Sequence, residues 1–346
     1  MSATPYGLFL TAPETLELRE LALGPLQRGE ARVRVAGCGL CHTDVGFYSG
    51  SVRTRHPLPL VLGHEVSGVV EEVADGSREL VGRQVLVPAV MPCGECDLCK
   101  GGRPLACQHQ LMPGNDIAGG FASHMVVPAG MLVPLPDDLG THTLAELSVI
   151  SDAVTTPYQA IQRACVHAGD LVVVIGIGGI GTYAVQIAHA FGAHVAAVDV
   201  DEGKIERAAA LGARWRFNPR ETDSRSIKKT LLADSGVSTA RWRILEMSGT
   251  AAGQELAWSL LPPAGTVGIV GFTMDKVTVR LSNLMALDAT AFGNWGCAPS
   301  QYPAVVDLVL SGRVELEPFV EFHDLKDGPA LFADSAHASR RAILIP

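Results

Sequence analysis

Residues 171–181 read LVVVIGIGGIG, and this stretch decides the fold. Its first half, Leu171–Ile175, is an apolar run typical of a strand buried on both faces of a parallel sheet. A helix-like segment to Phe191 follows the glycines, and His194–Asp199 reads as the next strand. Strand, glycine turn and helix in this order indicate a dinucleotide site, because the turn lets the backbone approach a pyrophosphate at the helix N-terminus. The predicted cofactor contacts in the turn are Gly176, Gly178, Gly179, Ile180 and Gly181.

Asp199 ends the second predicted strand, where such sites place an acidic residue. Its carboxylate is expected to accept hydrogen bonds from the adenosine ribose hydroxyls. A 2′-phosphate would meet Asp199, Asp201 and Glu202, so we predict NAD rather than NADP as cofactor. Lys204 is a candidate contact to the same ribose. An equally supported interpretation is that Lys204 is a solvated charge on a helix face.

The alternation of strands and helices continues beyond the glycine turn. Lys204–Leu211 and Ala251–Leu261 have helical patterns, whereas Arg243–Met247 and Thr266–Gly271 read as strands. Helices between strands imply βαβ units, so the predicted class is α/β with a doubly wound parallel sheet.

The flanking sequence reads differently, as short strands and loops interrupted by proline and glycine. Ala31–Val35 alternates apolar residues with arginines, a period-2 pattern for a half-buried strand. A single further helix is predicted at Tyr302–Leu310. We therefore expect a β-rich domain of residues 1–153 and 296–346, with a nucleotide-binding domain of residues 154–295 inserted into it.

Composition limits the classes of partner. The chain has 346 residues, of which 47% are hydrophobic and 18% charged, as in a well-packed globular enzyme. A net charge of −9 with scattered basic residues argues against nucleic acid as a partner. The longest apolar runs are strand-length, which argues against a membrane span. Residues 1–5 show no basic segment followed by an apolar one, so a reducing, cytoplasmic setting is expected.

Four cysteines lie close together, with two, two and seven residues between them. Four thiolates at this spacing can surround one tetrahedral Zn²⁺. Disulfides are disfavoured by the expected reducing compartment, and an iron–sulfur cluster fits a single loop beside a dinucleotide fold less well. Since protein would fill all four positions, this zinc is predicted to be structural. The ligands are Cys93, Cys96, Cys99 and Cys107.

A second set of potential ligands precedes that cluster. Residues 37–44 read GCGLCHTD, and residues 63–65 read GHE. A cysteine and a histidine at this separation are ordinary when taken alone. With the four-cysteine segment and the glycine turn in this order, however, the chain resembles the zinc-dependent medium-chain alcohol dehydrogenases along its whole length. The resemblance implies a GroES-like β-rich catalytic domain, a Rossmann cofactor domain and two zinc ions per chain.

The resemblance also implies the ligands of a catalytic zinc. Cys41 and His64 match two of them, and Asp152 stands where many relatives have a cysteine and some bacterial ones an aspartate. The fourth position is then open for water or substrate, as catalytic zinc requires. Glu65 matches an occasional extra ligand of the family and otherwise lies behind the ligands.

By the same resemblance, zinc acts as a Lewis acid on an alcohol whose hydride passes to the nicotinamide. Thr43 accepts the alcohol proton, and Asp44 orients His64. Gly46 stands where many relatives have a histidine that passes the proton to solvent. Three explanations for the missing histidine remain open. The proton leaves through ribose hydroxyls and water, another group takes the place of the histidine, or proton release is less demanding for this substrate. The other cofactor contacts that the resemblance implies are His42, Val270, Phe272 and Arg341.

Several segments resemble a narrower group in the family, the dehydrogenases of cyclic hydroxy-enoyl-CoA thioesters in anaerobic aromatic degradation. They are residues 112–116, 152–160, 282–286 and 293–297. This resemblance implies oxidation of an allylic ring alcohol with a CoA thioester as handle. Hydride delivery to the conjugated C=C is a second regiochemistry that the ligand set does not distinguish.

Two alternatives stay open at this point. One is a dehydrogenase of the same chemistry acting on a free secondary alcohol, polyol or aldehyde. The other is a cofactor sensor without catalysis, which the intact ligand set disfavours because a sensor needs no open zinc position. A homodimer or homotetramer is expected from the resemblance.

Overall fold

The computed structural model describes residues 4–334 and 340–346. The chain forms two compact units, one from residues 1–155 and 296–346 and the other from residues 156–295. Sequence alone placed the first of these boundaries two residues earlier, at 153. Within the described residues, none of the helices has the length and apolar character required to cross a bilayer.

The strands of the described residues are numbered in chain order. They are β1 (Tyr6–Ala12), β2 (Thr15–Glu20), β3 (Glu30–Gly39), β4 (Leu60–Val61), β5 (Glu65–Val73), β6 (Gln84–Val87), β7 (His124–Pro128), β8 (Val133–Pro134), β9 (Leu171–Ile175), β10 (His194–Val198), β11 (Ala213–Phe217), β12 (Trp242–Glu246), β13 (Thr266–Ile269), β14 (Thr290–Gly293), β15 (Val320–Asp324) and β16 (Arg341–Ile345).

The α-helices of the same residues are mostly short. They are α1 (His42–Tyr48), α2 (Asp97–Lys100), α3 (Thr155–Arg163), α4 (Gly181–Ala190), α5 (Glu202–Ala210), α6 (Ser224–Asp234), α7 (Ala251–Leu260), α8 (Ser282–Leu287), α9 (Tyr302–Leu310) and α10 (Gly328–Ala333). A 3₁₀ segment, Glu146–Ser151, precedes α3.

The first unit is the predicted β-rich region. A small sheet has the order β2-β1-β4, and a larger one has the order β15-β16-β3-β5-β6-β8 with β7 also paired to β3. The period-2 pattern of β3 explains its two faces: Val33 is buried, whereas Arg34 reaches Glu71 on β5, with 3.0 Å between Nε and Oε1. The buried face packs into one apolar core with β5, β6 and β7.

The second unit contains the predicted doubly wound sheet. Its six strands are all parallel and have the order β11-β10-β9-β12-β13-β14. Every residue of β9 is buried, as the continuous apolar run predicted. The predicted α/β class, with a β-rich unit beside a parallel sheet of the Rossmann type, is therefore confirmed.

Several elements of this unit have no counterpart in the sequence predictions, among them β11, α6, α8 and β14. The helix α6 buries Ile227 and Leu231 one turn apart, and Asp223 caps it by accepting a hydrogen bond from Ser226 N at 2.7 Å. The strand β14 is short and largely exposed, so it shows neither the apolar run nor the alternation that marks a strand in sequence.

Candidate metal centres and cofactor turn

Asp44 organises the start of the candidate catalytic site. The carboxylate is fully buried in the first turn of α1. Its Oδ2 accepts a hydrogen bond from Cys41 N at 3.0 Å, and its Oδ1 accepts one from Gly63 N at 3.1 Å. One side chain therefore fixes the backbone beside two of the predicted ligands, Cys41 and His64.

His64 lies between two carboxylates. Its Nδ1 is 3.3 Å from Asp44 Oδ1, and its Nε2 is 3.6 Å from Asp152 Oδ2. Because Asp44 faces one ring nitrogen, it orients the imidazole so that the other nitrogen points toward Asp152 and Cys41.

Hydrogen bonds from distant segments hold the chain before Asp152. Tyr302 Oη donates to Ser151 O at 2.5 Å, and Ser151 Oγ donates to Val66 O at 2.9 Å. These bonds tie the end of the 3₁₀ segment to α9 and to β5, the strand that follows His64. As a result, Asp152 Oδ2 lies 3.7 Å from Cys41 Sγ.

The donor distances fit a zinc ion. One ligand atom from each of Cys41, His64, Glu65 and Asp152 lies within 4.8 Å of the others. A tetrahedral zinc with ordinary bond lengths places sulfur and oxygen ligands about 3.6 Å apart, and nitrogen and oxygen ligands about 3.4 Å apart. The measured separations of 3.7 Å and 3.6 Å are close to these values.

The electrostatics of this cluster favour a cation. Burial opposes charging of His64, yet the negative charges of Asp44 and Cys41 raise the pKa of its imidazole well above the usual value. Burial also raises the pKa of Glu65 to about 7. The acidic groups of this buried pocket outnumber the Arg341 guanidinium beside Glu65, and a divalent ion would supply further positive charge.

Glu65 and Arg341 form an ion pair behind the ligands. Glu65 is fully buried, and its Oε1 lies 2.6 Å from a guanidinium nitrogen of Arg341. Its Oε2 has no hydrogen-bond partner among the described residues and lies against Gly39. Residue 39 is glycine because a Cβ there would clash with this carboxylate. The structure thus places the Arg341 guanidinium, a predicted cofactor contact, on Glu65.

The four-cysteine segment forms a second cluster around α2. The distances between sulfur atoms are 3.5 Å for Cys96 and Cys99, 3.8 Å for Cys96 and Cys107, and 3.5 Å for Cys107 and Cys93. A disulfide bond would require about 2.05 Å, and tetrahedral zinc places sulfur ligands about 3.8 Å apart. The cluster therefore fits a zinc ion held by four sulfur atoms.

Backbone N–H groups support the thiolate forms of Cys93 and Cys96 in this cluster. Cys96 N donates to Cys93 Sγ, and Cys93 N donates to Cys107 Sγ, both at 3.4 Å. A hydrogen bond from the backbone of Cys99 is the main cause that lowers the pKa of Cys96 to about 6. Deprotonated sulfur is the form that binds zinc.

The glycine turn of the second unit has the geometry of a phosphate-binding loop. Gly176 has a φ of +88°, and a Cβ there would lie 2.5 Å from Ser248 Cα. A Cβ at Gly181 would clash with Gly176 O, whereas Gly178 faces open space. Asp199 Oδ2 accepts a hydrogen bond from Ile177 N at 2.6 Å, so the predicted ribose-binding carboxylate also shapes the turn.

The other predicted residues lie at element ends. His42 is exposed and Thr43 half-buried in the first turn of α1. Lys204 is half-buried on α5, where its N–H donates to Asp201 Oδ1 at 3.1 Å. Val270 is half-buried after β13, and Phe272 beyond it is 67% exposed. Ile180 precedes α4, and Gly179 is exposed within the turn.

Sequence reasoning missed two residues near these sites. Tyr302 fixes the segment before Asp152, but its partner is 151 residues away, so no local pattern marks it. Glu246 is a fully buried carboxylate at the end of β12. An acidic residue within the predicted strand Arg243–Met247 was the available signal, since a buried strand rarely carries a charge.

Comparisons with known proteins match both units. Residues 27–137 match the family described as alcohol dehydrogenase GroES-like domain, and residues 179–311 match the zinc-binding dehydrogenase family. The crystal structure of the alcohol dehydrogenase from Aeropyrum pernix has a TM-score of 0.88 and 28% identity, covering 99% of this chain and 100% of that one.

Sequence matches to two dehydrogenases cover nine-tenths of the chain. An alcohol dehydrogenase of Geobacillus stearothermophilus is 30% identical over 316 residues, which cover 91% of this chain and 90% of that protein. An L-threonine 3-dehydrogenase of Pyrococcus furiosus is 29% identical over 327 residues, covering 92% and 91%. The chain belongs to the zinc-binding alcohol dehydrogenases, oxidoreductases that act on a CH–OH group with zinc and a nicotinamide cofactor.

Proposed function

We propose that the chain oxidises a secondary alcohol at Cys41, His64 and Asp152, with NAD⁺ as hydride acceptor. One observation carries this proposal: three ligand groups from distant parts of the sequence lie within 4.8 Å of one another in a buried, anion-rich pocket. Structural zinc sites are usually rich in cysteine, whereas this donor set contains only one sulfur atom. Three protein ligands leave the fourth position of a tetrahedral zinc ion for substrate.

The side chains around the ligands have distinct tasks. Bound zinc lowers the pKa of an alcohol, and the nicotinamide accepts the hydride. The Thr43 hydroxyl would accept the alcohol proton while it passes its own proton on to the ribose hydroxyls of the cofactor and water. Asp44 holds the His64 ring and the Cys41 backbone in place, while Glu65, paired with Arg341, would offer a further carboxylate to a bound ion.

The cofactor preference follows from charge at the end of β10. Asp199, Asp201 and Glu202 would all repel a 2′-phosphate. We therefore expect a higher kcat/KM with NAD⁺ than with NADP⁺. Replacement of Asp199 by serine should lower the ratio of kcat/KM with NAD⁺ to kcat/KM with NADP⁺. A parent enzyme that prefers NADP⁺ would overturn the assignment.

The proposed substrate is 6-hydroxycyclohex-1-ene-1-carbonyl-CoA, oxidised to the 6-oxo compound. Its support is the resemblance of residues 112–116, 152–160, 282–286 and 293–297 to dehydrogenases of that thioester. The alternative is a free secondary alcohol, which the names of the relatives favour: they include alcohol and L-threonine dehydrogenases.

Kinetics with matched substrates decide between these two. For the thioester we expect kcat/KM to exceed that for cyclohex-2-en-1-ol by roughly 10²-fold, because binding energy from a remote handle supports the reacting centre. Equal values would favour the free alcohol. Deuterated NADH with the enone product reports regiochemistry, since label at a ring carbon other than the carbinol reveals delivery to the conjugated C=C.

Assembly is the last part of the proposal. A homodimer or homotetramer is proposed from the family resemblance. Light scattering on the zinc-loaded protein measures the mass directly, and a monomer at micromolar concentration would contradict it.

A further inference from the structure

Glu246 is a buried carboxylate that the proposed reaction does not use. It ends β12, the strand between β9 and β13, and it is fully buried. Within residues 4–334 and 340–346, no basic side chain contributes to its electrostatics, whereas Ser248 and the backbone of Gly249 contribute hydrogen bonds. Burial raises the pKa of this carboxyl. Burial of a carboxyl without a basic partner costs stability, so we ask what its hydrogen bonds hold in place.

Those contacts hold one loop. Glu246 Oε1 accepts hydrogen bonds from Ser248 N at 2.8 Å and from Ser248 Oγ at 2.5 Å. Ser248 Oγ in turn lies 2.9 Å from Thr250 Oγ1, which accepts from Gly253 N at 3.0 Å. The carboxyl thus controls the path of the chain from β12 to the start of α7.

This loop contacts the turns that follow the neighbouring strands. In the register of the sheet, Glu246 pairs with Ile175 on one side and Ile269 on the other. Ser248 packs so closely on the glycine turn that a Cβ at Gly176 would lie 2.5 Å from its Cα. On the other side, a Cβ at Gly271 would lie 2.9 Å from Glu246 Oε2.

The three segments meet at the carboxyl edge of the sheet. They are the glycine turn after β9, residues 247–250 after β12 and residues 270–272 after β13. Dinucleotides bind outside the carboxyl ends of parallel strands. A small shift of the middle segment would therefore move both of its neighbours relative to the cofactor.

We propose that Glu246 is a positioning residue that sets the shape of the cofactor-binding edge through Ser248, without touching the cofactor. This inference rests on the proposed function, since it needs the glycine turn to bind NAD. An apolar side chain of similar size would fill the space but could not accept the two hydrogen bonds from Ser248.

The test is NADH binding, measured by fluorescence titration of the full-length, zinc-loaded protein. We expect Glu246→Ala to weaken NADH binding by roughly 10- to 100-fold, since it removes the acceptor of the two hydrogen bonds that hold the loop. Glu246→Gln keeps an oxygen for Ser248 and should stay within about threefold of the parent. Ser248→Ala removes one of the two donors. Its Kd for NADH should lie between the values for Glu246→Gln and Glu246→Ala.

Asp170→Ala is the matched control. Asp170 is another buried carboxylate of the same unit, but it precedes β9, at the opposite edge of the sheet, and pairs with Arg241 at 2.7 Å. Its loss should lower Tm without changing the Kd for NADH. In steady state, Glu246→Ala should raise KM for NAD⁺ while the zinc content and KM for the alcohol stay unchanged.

Two failures are distinguishable. A parent protein that binds no NADH contradicts the proposed function itself. A parent that binds NADH, with Glu246→Ala and Ser248→Ala of equal affinity to it, contradicts the positioning role alone. If Glu246→Ala does not fold, Ser248→Ala and Glu246→Gln still decide, because equal affinities of the parent and Ser248→Ala overturn the inference.

Discussion

The two metal clusters of the first unit are built in opposite ways. The four-sulfur cluster comes from one short segment around α2, and backbone N–H groups stabilise its sulfur atoms. The mixed cluster joins Cys41, His64 and Asp152, and two of its ligands are 111 residues apart. Buried carboxylates and long-range hydrogen bonds position it. The first cluster therefore constrains a loop, whereas the second depends on the whole unit.

Loss of one sulfur ligand should have the largest effect on stability. Cys96→Ser leaves three sulfur ligands, so we expect zinc content to fall from two ions per chain to one. Tm should fall by on the order of 10 °C, because structural zinc supplies folding free energy. Metal analysis and calorimetry measure both. Cys165→Ser, at an exposed cysteine, is the control; equal Tm values for the two variants would remove the distinction between the clusters.

Removal of a ligand from the mixed cluster should affect activity instead. For His64→Ala we expect kcat/KM to fall on the order of 10³-fold, about 4 kcal/mol, since the alcohol loses its Lewis acid. NADH binding should persist. His124→Ala removes a histidine that pairs with Glu71 at 3.1 Å and should leave kcat/KM unchanged. Full activity of His64→Ala would end the proposed mechanism.

Asp44 tests how far the mixed cluster depends on its surroundings. Asp44→Asn places an amide where two backbone N–H groups donate, and it removes the charge facing His64. Zinc affinity at this cluster should fall by roughly 10- to 100-fold. Competition with a chromophoric chelator measures it, and the four-sulfur zinc in the same sample is the internal reference. An unchanged affinity would show that Asp44 is only a packing residue.

Gly46 gives the smallest expected effect. Its φ is not positive, and a Cβ there would lie 3.5 Å from Val52 Cγ2, an ordinary contact. Gly46→Ala should therefore raise the free energy of unfolding by about 0.5–1 kcal/mol in urea titrations. Gly50→Ala is the opposite control. Gly50 has a φ of +73°, so this substitution should lower the free energy of unfolding. Destabilisation by Gly46→Ala would show that α1 needs flexibility.

Local patterns in the sequence predicted much of the fold. The strand Leu171–Ile175 and the helix Tyr302–Leu310 have their predicted bounds. The helix α6 was also accessible, since an aspartate cap precedes apolar residues one turn apart. The strand β14 was not, because its four residues form a strand only through pairing with β13.

The same distinction applies to the sites. Cysteine spacing alone predicted the four-sulfur cluster. The mixed cluster followed only from family resemblance, because no local pattern relates Asp152 to Cys41. The contact of Glu65 with Arg341 joins residues 276 positions apart, so only the folded chain brings them together.

The pairing of β16 with β3 has a consequence for biosynthesis. β3 leads to the mixed cluster, and its edge is completed when Leu344 pairs with Cys38 and Leu40 N donates to Ala342 O at 2.8 Å. Residues 341–345 are added to the chain long after Cys41 and His64 have been synthesised. We therefore expect the four cysteines of the loop to be able to bind their ion before synthesis ends, whereas the β3–β16 pairing and the Glu65–Arg341 ion pair form only after β16 is made.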